Sequence, residues 1–282
     1  MTLCIAAECR GHVIVGSDFR GEMGDYTSAE NQNKLEWIED TWPVLIAGTV
    51  ARAHEMVASI NREFSDTRKR GIAIDEANIA GILKEAVRKQ KYRLADFIVG
   101  RELGIPYGAF LKNGKSYLSE KAFEDIEDSI RKADLECELI IVFFQYPYSY
   151  LYRIQADSSV DRIDNFCCIG SGATLADSSL YFREHDHDQI LRTSLYRVAE
   201  AFVLARRAPG VGEKFALSIF HQEKNGTVVW ERLKGSGFDA LDKSFTKFGP
   251  KKISGVKLNL KKDLEEFDRT DPPVSKTVQE NI

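Results

Sequence analysis

Thr2, Asp18 and Lys34 follow one another at intervals of 16 residues, and Gly48 comes 14 residues later. A threonine hydroxyl is a weak nucleophile until a base takes its proton. An α-amine titrates at about 7.7–8.0, so an amine on the threonine itself is a usable base near neutral pH. That amine exists only once Met1 is gone, and threonine is small enough as a second residue for the initiator methionine to be trimmed. A lysine beside the hydroxyl stabilises the developing alkoxide, and an aspartate keeps that lysine charged and oriented. A glycine N–H at the mouth of a helix stabilises an oxyanion. Taken singly, these four residues read as a strand threonine, a turn aspartate, a surface lysine and a turn glycine. Taken together, they suit nucleophilic acyl transfer.

Such chemistry needs elements that bring the four residues together. TLCIAAEC (2–9) and HVIVGSD (12–18), split by Arg10-Gly11, predict a β-hairpin. Residues whose numbers sum to about 21 then oppose each other, which sets Thr2 beside Asp18. KLEWIE (34–39) and WPVLIAG (42–48) predict a second hairpin around Asp40-Thr41, with a sum of about 81 that sets Lys34 opposite Ala47 and Gly48. Pairing of the two hairpins in one sheet would gather Thr2, Asp18, Lys34 and Gly48 at one end of it. The polar stretch 19–33, with Gly21 and Gly24, predicts a loop.

Beyond residue 49 the apolar period changes to that of a helix over about 50–68, and a second helix is predicted from Asp75 to about 102. A Gly/Pro/Tyr-rich connection and an exposed helix, SEKAFEDIEDSIRKADLE, occupy 104–136. CELIIVFF (137–144) reads as a buried strand, and YLYRI, SSVDRID and NFCCIG as shorter ones. Helices are predicted over 172–183 and 188–207, then a hairpin of FALSIF and TVVWERL around Asn225-Gly226. This order predicts an α+β fold: a four-layer αββα sandwich of two antiparallel sheets between helix pairs. Residues 1–248 form a single domain with an inserted or extended helical region at about 100–136, and 249–282 form a C-terminal tail.

Composition narrows the function. Hydrophobic content is 43% and charged content 29%, which suits a globular core, and the net charge of −4 is spread over both signs. That balance disfavours nucleic acid or an anionic membrane as partner. The five cysteines, Cys4, Cys9, Cys137, Cys167 and Cys168, have no zinc-finger spacing and read as small buried hydrophobes in a reducing compartment. No basic stretch leads the first apolar run and no run reaches ~18 residues, so a cytoplasmic location is expected. His185-Asp186-His187-Asp188 reads as a solvated helix start with an acidic N-terminus rather than a metal site.

TLCIAAECRGHVIVGSDFRG, then Lys34, then LIAGTVARA resemble a proteasome-type β-subunit, a branch of the N-terminal-nucleophile hydrolases with bacterial relatives. The resemblance covers about 2–70 and 137–233. It implies the N-terminal-nucleophile hydrolase form of the sandwich, with Thr2 as nucleophile, Lys34 and Asp18 as its partners and Gly48 as the oxyanion donor. Arg20 also matches. The family's Gly-Ser-Gly falls on Gly170-Ser171-Gly172, where Ser171 either supports the nucleophile's amine or simply caps a helix. The family's aspartate and serine after its fourth helix fall on Ala208 and Val211, while Gly212 is retained.

The resemblance therefore implies a threonine peptidase with neither metal nor organic cofactor, acting on peptides or unfolded protein. It implies self-assembly into a ring or spiral and leaves room for a separate ATP-driven unfoldase. Two other readings stay open: a catalytically silent ring or scaffold subunit, favoured by Ala208 and Val211, and an N-terminal-nucleophile amidohydrolase for a small molecule, with 100–136 shaping its pocket.

Overall fold

The computed structural model describes residues 2–23, 26–29 and 33–249. The chain opens with β1 (Cys4–Cys9) and β2 (His12–Asp18), closed at Arg10-Gly11, both in the left-handed region at φ +26° and +76°. Cys4 opposes Ser17 and Cys9 opposes His12, the register that the sum of 21 predicts. Within 19–33, where a loop is expected, two short strands pair instead: β3 (Gly21–Met23) and β4 (Tyr26–Ala29). Strands of three and four residues are too short for hydrophobic alternation to announce them.

Next come β5 (Leu35–Ile38) and β6 (Trp42–Gly48), then α1 (Val50–Lys69) and α2 (Glu76–Leu103). Leu35 opposes Leu45, so the hairpin sum is 80 and lies one residue from the expected register. Asp75 starts α2 through a capping box: its side chain accepts from Asn78 N–H, and the Asn78 side chain accepts from Asp75 N–H. The region 104–136 folds as α3 (Tyr107–Tyr117) and α4 (Glu120–Lys132). It has its own small core of Phe110, Phe123 and Ile126 against Val99 of α2.

β7 (Cys137–Gln145), β8 (Tyr148–Ile154), β9 (Val160–Ile163) and β10 (Phe166–Ile169) follow. α5 (Ala173–Phe182), α6 (Leu191–Ala205), β11 (Phe215–Gln222), β12 (Val228–Arg232) and α7 (Gly235–Phe248) complete the described chain. Helix α7 is an addition to the expected elements. It has no buried residue, yet Phe238 and Leu241 rest against the core beneath α6. The tail predicted from Gly249 lies outside the described residues from 250 onward.

The fold is α+β, with two antiparallel five-stranded sheets and seven helices among the described residues. The first sheet runs β10-β1-β2-β11-β12 and the second β5-β6-β7-β8-β9. The two N-terminal hairpins thus belong to different sheets, so the single-sheet pairing that would gather the four residues does not form. The reason is visible in β1, whose residues are apolar on both faces. Cys4 and Ala6 pack with Ile46 and Leu139 of the second sheet, while Ile5, Ala7 and Cys9 pack with Leu180, Val198 and Phe202 of α5 and α6. Helices α1 and α2 bring Met56, Phe64 and Leu83 into the core shared with the second sheet. Each fully buried side chain of this size contributes about 1.5–3 kcal/mol relative to exposure, and the outer edges of the β1–β2 hairpin are taken by β10 and β11, which leaves no edge for β5. All five cysteines are free and buried. No helix among the described residues is long and apolar enough to cross a membrane.

Candidate active site

Asp18 ends β2 and is completely buried. Burying a carboxylate is costly unless its oxygens are satisfied, and four groups converge on this one. Lys34 Nζ lies 2.5 Å from Oδ1, and Leu3 N–H donates to the same oxygen at 2.9 Å. Oδ2 accepts from Gly212 N–H at 2.9 Å and from Arg20 N–H at 3.4 Å. Asp18 therefore ties the first residues of β1 to the segment after α6, while Lys34 reaches it from the second sheet. Lys34 is itself 4% exposed. Its backbone is fixed by Ile46 N–H, which donates to Lys34 O at 3.0 Å.

Thr2 is 6% exposed and sits at the open end of β1. Its backbone N–H donates to Ser171 Oγ at 3.3 Å, and Gly172 N–H donates to its carbonyl at 3.3 Å. Ser171 Oγ lies 3.4 Å from Thr2 O and 3.3 Å from Pro209 O, so its proton has carbonyl acceptors on either side. The N-cap of α5 is Gly172, without a side-chain bond, so Ser171 is not a helix cap. Met1 lies outside the described residues.

Glycines make the close approach possible. Gly170 has φ +89°, and a Cβ there would fall 2.3 Å from Thr2 O. A Cβ on Gly172 would meet Val211 Cγ2 at 2.7 Å, and one on Gly212 would meet Arg20 Cβ at 2.9 Å. Gly170→Ala combines a left-handed residue with a backbone clash. It should lower unfolding free energy by at least about 2 kcal/mol, read as a lower urea midpoint at unchanged slope. An unchanged midpoint would show that the turn around Thr2 is looser than drawn.

Gly48 ends β6 ahead of α1, with φ +90° and no room for a Cβ, which would sit 2.5 Å from Glu136 O. Thr49 N–H donates to that same carbonyl at 2.8 Å. Gly48 is two residues beyond Ile46, whose carbonyl accepts from Cys4 Sγ at 3.4 Å. The contacts that join Thr2, Asp18, Lys34 and Ser171 among the described residues do not include Gly48. The Cys4 thiol between these groups is neutral, its pKa pushed well up by burial.

On the side where Ala208 and Val211 stand, the surroundings are apolar. Val211 is buried in the core below α5 and α6, and Ala208 packs against it. The Pro209 carbonyl is the polar group that this loop offers to Ser171. A cleft of about 270 Å³ opens next to Asp18, lined by Phe19, Arg20, Gly212, Glu213 and Lys214.

His185-Asp186-His187-Asp188 is a turn and not a helix start, since α6 begins at Leu191. Its side chains diverge. His185 Nε2 faces Glu8 O, His187 Nδ1 faces Asn165 Oδ1, and Asp186 meets Gln189. Burial lowers the His185 pKa, which keeps that ring neutral.

Of the residues singled out by spacing, Thr2, Asp18 and Lys34 are thus brought together, and of those the resemblance added, Ser171, Arg20, Gly172 and Gly212 join them. Pro209 and Glu138 are additions. Glu138 Oε2 accepts from Gly170 N–H at 3.1 Å. One signal for it lay in the sequence, as the single charged residue in the apolar run CELIIVFF. No protein-family model matches the chain, and a search of curated proteins finds no match either.

Proposed function

We propose that this protein is a threonine peptidase with the four-layer αββα fold of the N-terminal-nucleophile hydrolases and with Thr2 as its nucleophile. The observation that carries this reading is the buried Lys34–Asp18 pair anchored to Leu3, just before β1, with Ser171 Oγ on Thr2 N. When Thr2 is the first residue, that nitrogen is its α-amine. The amine takes the Oγ1 proton as Oγ1 attacks the scissile carbonyl carbon, and Lys34 steadies the negative charge gathering on Oγ1. Gly48 N–H receives the oxyanion of the tetrahedral intermediate. The amine then passes its proton to the leaving peptide amine as the C–N bond breaks, leaving an acyl ester on Thr2. Water, deprotonated by the same amine, attacks the ester carbonyl, and as the C–Oγ1 bond breaks the amine returns that proton to Oγ1, which releases the carboxylic acid product and restores the hydroxyl.

Peptides or unfolded protein are the substrates in this reading, and no metal or organic cofactor takes part. Self-assembly goes with it. Tyr181 and Phe182 at the end of α5 leave large apolar side chains exposed, as do Ile190 and Phe248 elsewhere in the chain.

The test combines three measurements on the native protein. Intact mass should correspond to a chain starting at Thr2, a peptide panel should be cleaved in preference to small amides, and sedimentation should exceed the 31.8 kDa protomer. Cleavage by protein that keeps Met1 would overturn the mechanism. Preference for small amides would turn the reading toward a small-molecule amidohydrolase. A Thr2-first assembly with no hydrolysis would mark a silent subunit.

A further inference from the structure

The loop that carries Ala208 and Val211 offers the turn beneath Thr2 a backbone carbonyl, that of Pro209, which accepts from Ser171 Oγ at 3.3 Å. The turn is also held from the opposite sheet. Glu138 lies on β7 opposite Ala47, one residue before Gly48 on β6. Its Oε2 accepts Gly170 N–H at 3.1 Å, and its Oε1 receives Arg153 Nη2 at 2.6 Å. Arg153 stands on β8 opposite Ile140, so the two charged residues face the same side of the second sheet as diagonal neighbours. Both are about three-quarters buried, at 25% and 26% exposed. An ion pair so placed is aimed by its surroundings rather than free to swing in water.

The consequence for Thr2 follows from packing. Gly170 lies against Thr2 O so closely that no side chain fits. The next two residues supply Ser171 Oγ to Thr2 N and Gly172 N–H to Thr2 O. The Gly170 peptide is therefore one of the supports of the turn groups that touch Thr2, beside the Ala173 N–H that Gly170 O accepts and the Pro209 carbonyl that Ser171 Oγ faces. A carboxylate accepting the Gly170 N–H fixes the tilt of that peptide with a charge-assisted bond, stronger than a neutral one.

We infer that Glu138, aimed by Arg153, is a positioning residue for the nucleophile: it locks the Gly170-Ser171-Gly172 turn across the gap between the sheets. This rests on the peptidase reading above for its effect on rate, though not for its effect on the turn. A displacement of about 1 Å at a reacting group costs on the order of 10²-fold in rate.

The experiment uses the full chain released with Thr2 first from a cleavable fusion, as parent, Glu138→Ala, Glu138→Gln and Arg153→Met. Two quantities are read: amide hydrogen exchange at Gly170, which needs no turnover, and kcat and KM on the best peptide of the panel. Glu138→Ala should speed Gly170 exchange at least about tenfold and lower kcat by on the order of 10²-fold, with KM within about twofold of the parent. Glu138→Gln keeps an acceptor oxygen, so it should hold exchange slow and restore most of kcat. Arg153→Met, which leaves the carboxylate but not its aim, should fall between, and it serves if Glu138→Ala does not fold. Gly170 exchange as slow in Glu138→Ala and Arg153→Met as in the parent would overturn the inference. So would a Glu138→Gln protein as impaired as Glu138→Ala. A parent that hydrolyses nothing would defeat the peptidase reading alone, because the exchange comparison still decides the role of Glu138.

Discussion

Replacing Thr2 by alanine should lower peptide hydrolysis by at least about 10³-fold, because the substitution removes the attacking oxygen and leaves the amine, Asp18 and Lys34 in place. The fold should survive. Thr2 lies at the strand end, its backbone bonds to Ser171 and Gly172 do not involve its side-chain oxygen, and only a hydroxyl and a methyl are lost. Thr2→Ser keeps hydroxyl and amine and should retain measurable turnover. A peptide epoxyketone should add one adduct mass to Thr2 of the parent and none to Thr2→Ala. Alanine protein that cleaves as well as the parent, with no adduct on Thr2, would make the constellation structural.

Loss of Lys34 is expected to have the second-largest effect, and it acts on two properties at once. Lys34→Ala removes the charge that favours the alkoxide, which typically costs about 10²–10³ in rate. It also strands Asp18, which is 0% exposed, without its ionic partner. Breaking a buried pair by removing one member costs about 3–5 kcal/mol, softened here by the three backbone N–H groups that still bond to Asp18. Lys34→Ala should therefore be both inactive and markedly less resistant to urea. Lys34→Arg keeps a cation beside Asp18 and should recover much of the stability, while its bulkier, differently placed charge leaves turnover low. This separates the chemical role from the structural one. Thr2→Ala and Lys34→Ala combined should be little slower than either alone, since they serve one step. Lys34→Ala that loses stability but keeps full turnover would show the lysine to be a structural ion only.

Much of this was legible in the chain itself. The first hairpin, its register and the nearness of Thr2 to Asp18 follow from alternation around Arg10-Gly11, since contacts between near neighbours are set by local turn geometry. Helix α1 follows from its apolar period, and α2 from its period and the Asp75 cap. The spacing of Thr2, Asp18, Lys34 and Gly48 was enough to nominate them together.

Only the tertiary structure decided which of them meet, and how. Lys34 reaches Asp18 across stacked sheets rather than along one, because β1 and β2 are apolar on both faces, one of them covering the second sheet, and their outer edges pair with β10 and β11. Ser171 and Gly212 come to Thr2 and Asp18 across sequence separations of 169 and 194 residues. The Pro209 carbonyl offers no side chain to read at all, and Glu138 showed only as a charge out of place in an apolar strand. Periodicity says which face of an element is buried. It cannot say which other element buries it, because that is settled by the summed packing of the whole core.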